Sequence, residues 1–157
     1  MSRGLTLTGM AAAAVLLGGL TLPVHAAPDG GAIYARCAAC HTRTGAGVPG
    51  VFPPLGEDFR TMASSDAGRR YLALVVTRGV SGPIKVGGKP YAGVMPAQAT
   101  LDDASVAAVL NHVGGEIAKS GPAFKPFAEA EVATHRASGA ALSAQDVGKL
   151  HAAAGGQ

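Results

Sequence analysis

The sequence predicts an all-α fold closed around a large apolar group, and three observations carry that reading. A Cys-x-x-Cys-His string, Cys37 to His41, sits where a short capped helix would end. Apolar residues recur at helical spacing in two later stretches, at Tyr71, Leu72, Val75 and Val76, and at Val106, Val109, Leu110, Val113 and Ile117. Aromatic residues make up only 4% of a chain that is 48% hydrophobic, and Trp is absent. So few large side chains make a thin core, and a buried macrocycle would supply the apolar surface they lack.

The string Cys37-Ala38-Ala39-Cys40-His41 is the attachment pattern for a c-type haem. On a helix, positions i and i+3 share a face, so both thiols can add to the two vinyl groups of one porphyrin. His41 then lies under the ring, where an imidazole nitrogen can ligate iron. Cys37 and Cys40 are the only cysteines, so one covalent haem c would use both and leave none for a disulfide. A thioredoxin-like dithiol has the same spacing. That motif normally follows a buried strand in a βαβ unit, and no strand-like run precedes Cys37.

At the N-terminus, Arg3 gives a positive start and Leu5 to Leu22 is an uncharged run rich in Leu, Ala and Gly. Pro23 breaks it, and Val24-His25-Ala26 has the small-x-small form of a cleavage site, which predicts a signal peptide over residues 1–26 and export to the periplasm. The rival is an uncleaved membrane anchor, because the run approaches spanning length. Bacteria attach c-type haem outside the cytoplasmic membrane, so leader and haem motif agree. The formal charge is +3. Without Arg3 it is +2, twelve basic against ten acidic side chains, and two haem propionates would bring it near zero. With no basic stripe, this is no nucleic-acid footprint.

Asp29 is the expected N-cap of a short helix through Ile33, Tyr34 and Cys37. Thr42 to Leu55 holds Gly45, Gly47, Pro49, Gly50, Pro53 and Pro54, so it reads as a loop held against something rigid. Ser64 to Asp66 can cap the helix that carries Tyr71 to Val76. A second loop, Gly79 to Pro96, ends at Val94-Met95-Pro96. Asp102 begins the amphipathic helix, which Gly114-Gly115 should fray, and Gly121-Pro122 and Pro126 mark a linker. In the tail, Phe127 to Val132 and Leu142 to Val147 each place a hydrophobic residue before an acidic first turn. Two short helices are expected there, docked on the core or partly mobile.

The iron's second axial position decides the chemistry. Met1 and Met10 would leave with the leader, and Met62 reads as a core filler. Met95 lies on a Gly- and Pro-constrained loop just before the amphipathic helix, and is the expected sixth ligand. A thioether there favours Fe(II) and raises the potential over bis-histidine ligation. The alternatives are His112, read as packed or surface, and His135 and His151, read as solvated. An open sixth site is disfavoured because the haem motif stands at the start of the chain.

A helix ending in Cys-x-x-Cys-His, a Gly/Pro loop, a Met-Pro and a final amphipathic helix together resemble class I c-type cytochromes. The resemblance spans about residues 29–119. Beside Cys37–His41, Gly45-Ala-Gly-Val-Pro-Gly-Val-Phe-Pro-Pro-Leu55 and Tyr91-Ala-Gly-Val-Met95-Pro96 carry it. Both strings are similar to monohaem electron-accepting subunits of bacterial dehydrogenases. The resemblance implies that the Pro53 carbonyl accepts the proximal imidazole N–H, that Leu55 packs on the ring, and that Tyr91 or Arg78 meets a propionate. It implies a cytochrome c domain over 27–120, which leaves 121–157 as a helical C-terminal extension. Thr42-Arg43 and the tail depart from the family pattern.

The expected function is a periplasmic one-electron carrier with a single haem c and His41/Met95 ligation. Its partners would be a periplasmic or membrane-bound dehydrogenase and a downstream cytochrome or oxidase. Membrane contact is expected only if the leader stays uncleaved. No nucleotide loop, paired catalytic carboxylates or nucleophile–base motif suggests an enzyme. The alternatives are a tightly bound subunit of an alcohol, aldehyde or sulfite dehydrogenase, a haem-based gas sensor or peroxidase, and an exported thiol-disulfide oxidoreductase.

Overall fold

The computed structural model describes residue 1 and residues 26–157, so the leader expected over 1–26 lies outside the described residues except at its ends. Helix α1 (Gly30–His41) starts on Asp29, whose Oδ1 accepts the backbone N–H of Gly31 at 2.9 Å and of Ala32 at 3.2 Å. It stops at Thr42, which has φ 63°, a conformation costly for a β-branched residue. The Tyr34 hydroxyl donates to the Thr42 carbonyl at 2.8 Å and pins that turn.

The loop to Leu55 is irregular, as its breakers require, and an antiparallel bridge between Val48 and Phe52 stitches it. Helix α2 (Glu57–Ala63) has no counterpart in the sequence reading. It has no side-chain cap and too few residues for a readable period, yet it buries Phe59, Met62 and Ala63. Helix α3 (Asp66–Arg78) follows, capped by Ser65 Oγ accepting the Gly68 N–H at 3.1 Å. It buries Tyr71, Leu72 and Leu74, with Val75 and Val76 half-buried.

The stretch from Gly79 to Pro96 departs from the expected loop. It forms two antiparallel ribbons, β1 (Val80–Ser81) with β4 (Val94–Met95), and β2 (Ile84–Val86) with β3 (Lys89–Tyr91). Val80 stands opposite Met95. Gly87 and Gly88, read as breakers, form the turn that lets β2 pair with β3. Strands this short carry no alternation that a sequence could display.

Helix α4 (Asp103–His112) starts where expected, with Asp102 Oδ1 accepting the Ser105 N–H at 2.8 Å, and buries Val106, Val109 and Leu110. It packs on α1. Gly114-Gly115 does not fray it. The chain continues as a π turn over Val113–Ile117, and the Phe124 ring fills the space beside Gly114 that a side chain would occupy.

The tail is docked. Helices α5 (Glu129–Ser138) and α6 (Ala144–Leu150) bury Val132 and Val147 completely, and each such side chain stabilises by about 1.5–3 kcal/mol. Arg69 is buried at the α3–α5 contact. It donates to Glu131 Oε2 at 2.8 Å and to the carbonyls of Ala63, Lys125 and Pro126, and lies 3.8 Å from the Phe127 ring centroid. Asn111 exchanges two hydrogen bonds with the backbone of Phe127, and Arg78 donates twice to the Leu142 carbonyl, at 3.0 and 2.7 Å. The expectation that His135 and His151 are solvated is corrected. His151 is 4% exposed, edge-on to Tyr71, and His135 is half-buried with Nε2 3.7 Å from Glu131. A tail poor in large side chains uses imidazoles as packing surface. Among the described residues no helix is long and apolar enough to cross a membrane.

Arg69 holds the Glu131 carboxyl below the usual carboxylate range, chiefly by hydrogen bonding. The stability this pair contributes is fully present above about pH 4.3 and is lost as pH falls through the lower folded-state value. Glu131→Gln should cost about 1–2 kcal/mol at pH 7, since the pair is partly exposed. The loss should shrink toward pH 3, which denaturant unfolding at both pH values measures.

Candidate haem-binding site

His41, the last residue of α1, is placed by the loop that follows it. The ring is buried, at 7% exposure, with Nδ1 2.9 Å from the Pro53 carbonyl. A carbonyl only accepts, so Nδ1 carries the proton and Nε2 keeps its lone pair. Burial pulls the imidazole pKa down against the opposing pull of that hydrogen bond, so the ring stays neutral, the form that binds metal. Gly47 makes this geometry attainable. Its N–H donates to the His41 carbonyl at 3.0 Å. At φ 64° its missing side chain would run into the carbonyls of Phe52 and Pro53.

Cys37 and Cys40 are half-buried and not bonded to each other. Burial pushes the Cys37 thiol up, against the opposing charge of Arg36. Tyr34 is pushed up to about 12, first by burial and then by Cys37. A thiol held in its protonated form lacks the low pKa that activates a redox dithiol.

Both cysteines, His41 and Met95 line one cleft, which encloses about 1400 Å³ including its open mouth. The expected site residues Pro53, Leu55 and Tyr91 also line it. Leu55 is half-buried and anchored by its N–H to the Gly45 carbonyl at 2.7 Å, and Tyr91 is buried on β3 at 4% exposure. Met95 is half-buried on β4, and Met62 belongs to the core and reaches the same wall. His112 stands outside the cleft against the Tyr34 ring, and His135 does not line it. Arg78 does not line it either, because its guanidinium is bound to Leu142.

Sequence reasoning misses Gly47, Asp58 and His151 as parts of the site. Gly47 reads there only as a breaker, while Asp58 and His151 are far apart in the chain and carry no local signal. The donor set fits a haem c. Among the described residues no cluster of three or more His, Cys, Asp or Glu could hold a bare ion. Two thiols and two axial-type donors around a mainly apolar cleft instead suit an iron already held by a macrocycle.

A family model described as Cytochrome c matches residues 27–115. A cytochrome c-552 of Thermus thermophilus is 47% identical over 126 residues, covering 78% of this chain and 82% of that protein. A second cytochrome c-552 of Thermus thermophilus is 46% identical over 112 residues, covering 69% of this chain and 85% of its own length. With the helical fold and the Cys37–His41 site beside these likenesses, the chain belongs to the cytochrome c family, in its class I c-type form, and is a haem-based electron carrier.

Proposed function

We propose that this cytochrome is a periplasmic one-electron carrier with a single haem c, bound through Cys37 and Cys40 and ligated by His41 and Met95. A leader over 1–26, a haem domain over 27–120 and a helical extension over 121–157 complete the reading. The observation that carries it is the cleft on which both thiols, Met95 and a His41 already oriented by Pro53 converge. When bound, haem iron supplies the Fe(III)/Fe(II) couple. The chain's residues do the rest. The Pro53 carbonyl holds the His41 Nδ1 proton and so raises the basicity of Nε2. The paired strands β1 and β4 present Met95, and Leu55, Tyr91 and Met62 keep water from the cleft's inner wall.

Electrons would come from a dehydrogenase and leave to a downstream cytochrome or oxidase by brief docking at the cleft mouth. Val51 and Val94 are exposed at 51% and 70% there, and a small interface suits a carrier that must release its partner. Binding to a dehydrogenase tight enough to survive size-exclusion chromatography would make the chain a fixed subunit instead. The raised Cys37 thiol counts against a thiol-disulfide oxidoreductase.

Protein produced with haem-attachment machinery should be coloured after acid–acetone extraction and show the ferric Met–iron charge-transfer band. Met95→Ala should lose that band, lower the midpoint potential and bind carbon monoxide when reduced. A colourless protein with two titratable thiols would sink the haem assignment, and a band that survives would sink only Met95. Gly47→Ala should cost about 1–2 kcal/mol in denaturant unfolding, for a side chain in the left-handed region. It should also raise the potential, because a displaced Pro53 carbonyl leaves His41 a weaker donor to Fe(III).

A further inference from the structure

His151 and Asp58 form a buried polar pair on the wall of the same cleft. His151 Nε2 is 3.6 Å from Asp58 Oδ2, with the side chains 5% and 10% exposed. That separation is too long for a hydrogen bond and is an ionic contact only when the imidazole carries a proton. Among the described residues Asp58 Oδ2 has no hydrogen-bond partner, and Oδ1 receives only the Gln157 N–H at 3.2 Å. A carboxylate this buried needs a positive neighbour or a proton of its own.

The placement is constructed rather than incidental. The Tyr71 ring meets the imidazole edge-on, with centroids 5.2 Å apart. The backbone of Gly156 lies so close over the ring that any side chain there would collide with it, and the Gly156 N–H donates to the His151 carbonyl at 3.0 Å.

We propose that the His151–Asp58 pair is a proton-binding site coupled to reduction of the haem in this cleft. The inference rests on the haem reading but not on the identity of the sixth ligand. Reduction brings one electron from the redox partner and makes the cleft more negative by one charge. The pair then takes one proton from solvent, forming an N–H bond on the imidazole beside the Asp58 carboxylate, and oxidation releases both. Charges across an apolar cleft are screened less than in water, so the pair binds its proton more tightly when the iron is reduced.

The groups that could compete for this effect are the two propionates a bound haem c would bring and the C-terminal carboxylate of Gln157, whose N–H is held by Asp58, and the His151→Gln variant leaves all of them in place. Asp58 faces the imidazole from α2 and Tyr71 from α3, and burial, reinforced by Asp58, pushes the Tyr71 hydroxyl up so that it stays neutral. On α6, Asp146 and Lys149 pair with each other at the surface, 3.0 Å apart. Strand β1, packed on α6, holds only Val80 and Ser81. Arg36 lines the cleft from α1 with a charge that does not titrate in this range.

The test is the midpoint potential of the full haem-loaded chain from pH 5 to pH 8, the span in which imidazoles titrate. The wild type should fall with rising pH by about 59 mV between plateaus, a tenfold difference in proton affinity between redox states. His151→Gln should be flat with an unchanged ferric spectrum, and Asp58→Asn should move the inflection to lower pH. NMR titration of the His151 ring in the wild type needs no variant to fold, and should give a higher inflection in the reduced protein. A flat wild-type potential, an unaltered slope in His151→Gln, equal inflections in the two redox states, or loss of the axial-ligand band in His151→Gln would each overturn the proposal. A colourless protein would instead overturn the haem reading, and this inference with it.

Discussion

The hydrogen bond from His41 Nδ1 to the Pro53 carbonyl is the constraint around which the first half of the chain is built. It demands that a carbonyl twelve positions downstream return to the end of α1, and every device in the intervening loop serves that return. Gly47 binds the His41 carbonyl, Val48 pairs with Phe52, and Leu55 is tied back to Gly45. The Gly and Pro content of the loop is therefore a shaping element, since ordinary residues hold the left-handed backbone at Gly47 only at a cost in stability.

The second half of the chain approaches the cleft from another side, and the tail organises it. Met95 is paired with Val80 across a ribbon only two residues wide, which is too short to be stable alone. Its support comes from α6 packed on β1 and from Arg78, just ahead of β1, bound to the Leu142 carbonyl. The tail helices thus buttress the strand that pairs with the one carrying Met95. Arg69, shared between α3, α5 and the linker carbonyls, ties them to the helical core.

What the sequence displayed was local. The caps at Asp29 and Asp102 and the apolar stripe of α4 are written in a few adjacent residues, and the structure shows each of them. Leu55 and Tyr91, which the family likeness suggested, lie on the cleft wall, whereas Arg78 turns to the tail. Long-range features stayed hidden. Helix α2 and the ribbons are too short to show a period. The burial of His151 depends on Tyr71, Asp58 and Gly156 together, and no run of Ala and Gly around position 151 announces it.

Because His151 forms part of the cleft wall, that wall is complete only once α6 has docked. During synthesis from the N-terminal end, Cys37 and His41 emerge while more than a hundred residues are still to follow. The thiols are then presented on an open chain with room for a flat porphyrin to approach. The later docking of Val132 and Val147 into the core fixes the tail that carries His151, and so completes the inner wall while the mouth stays open.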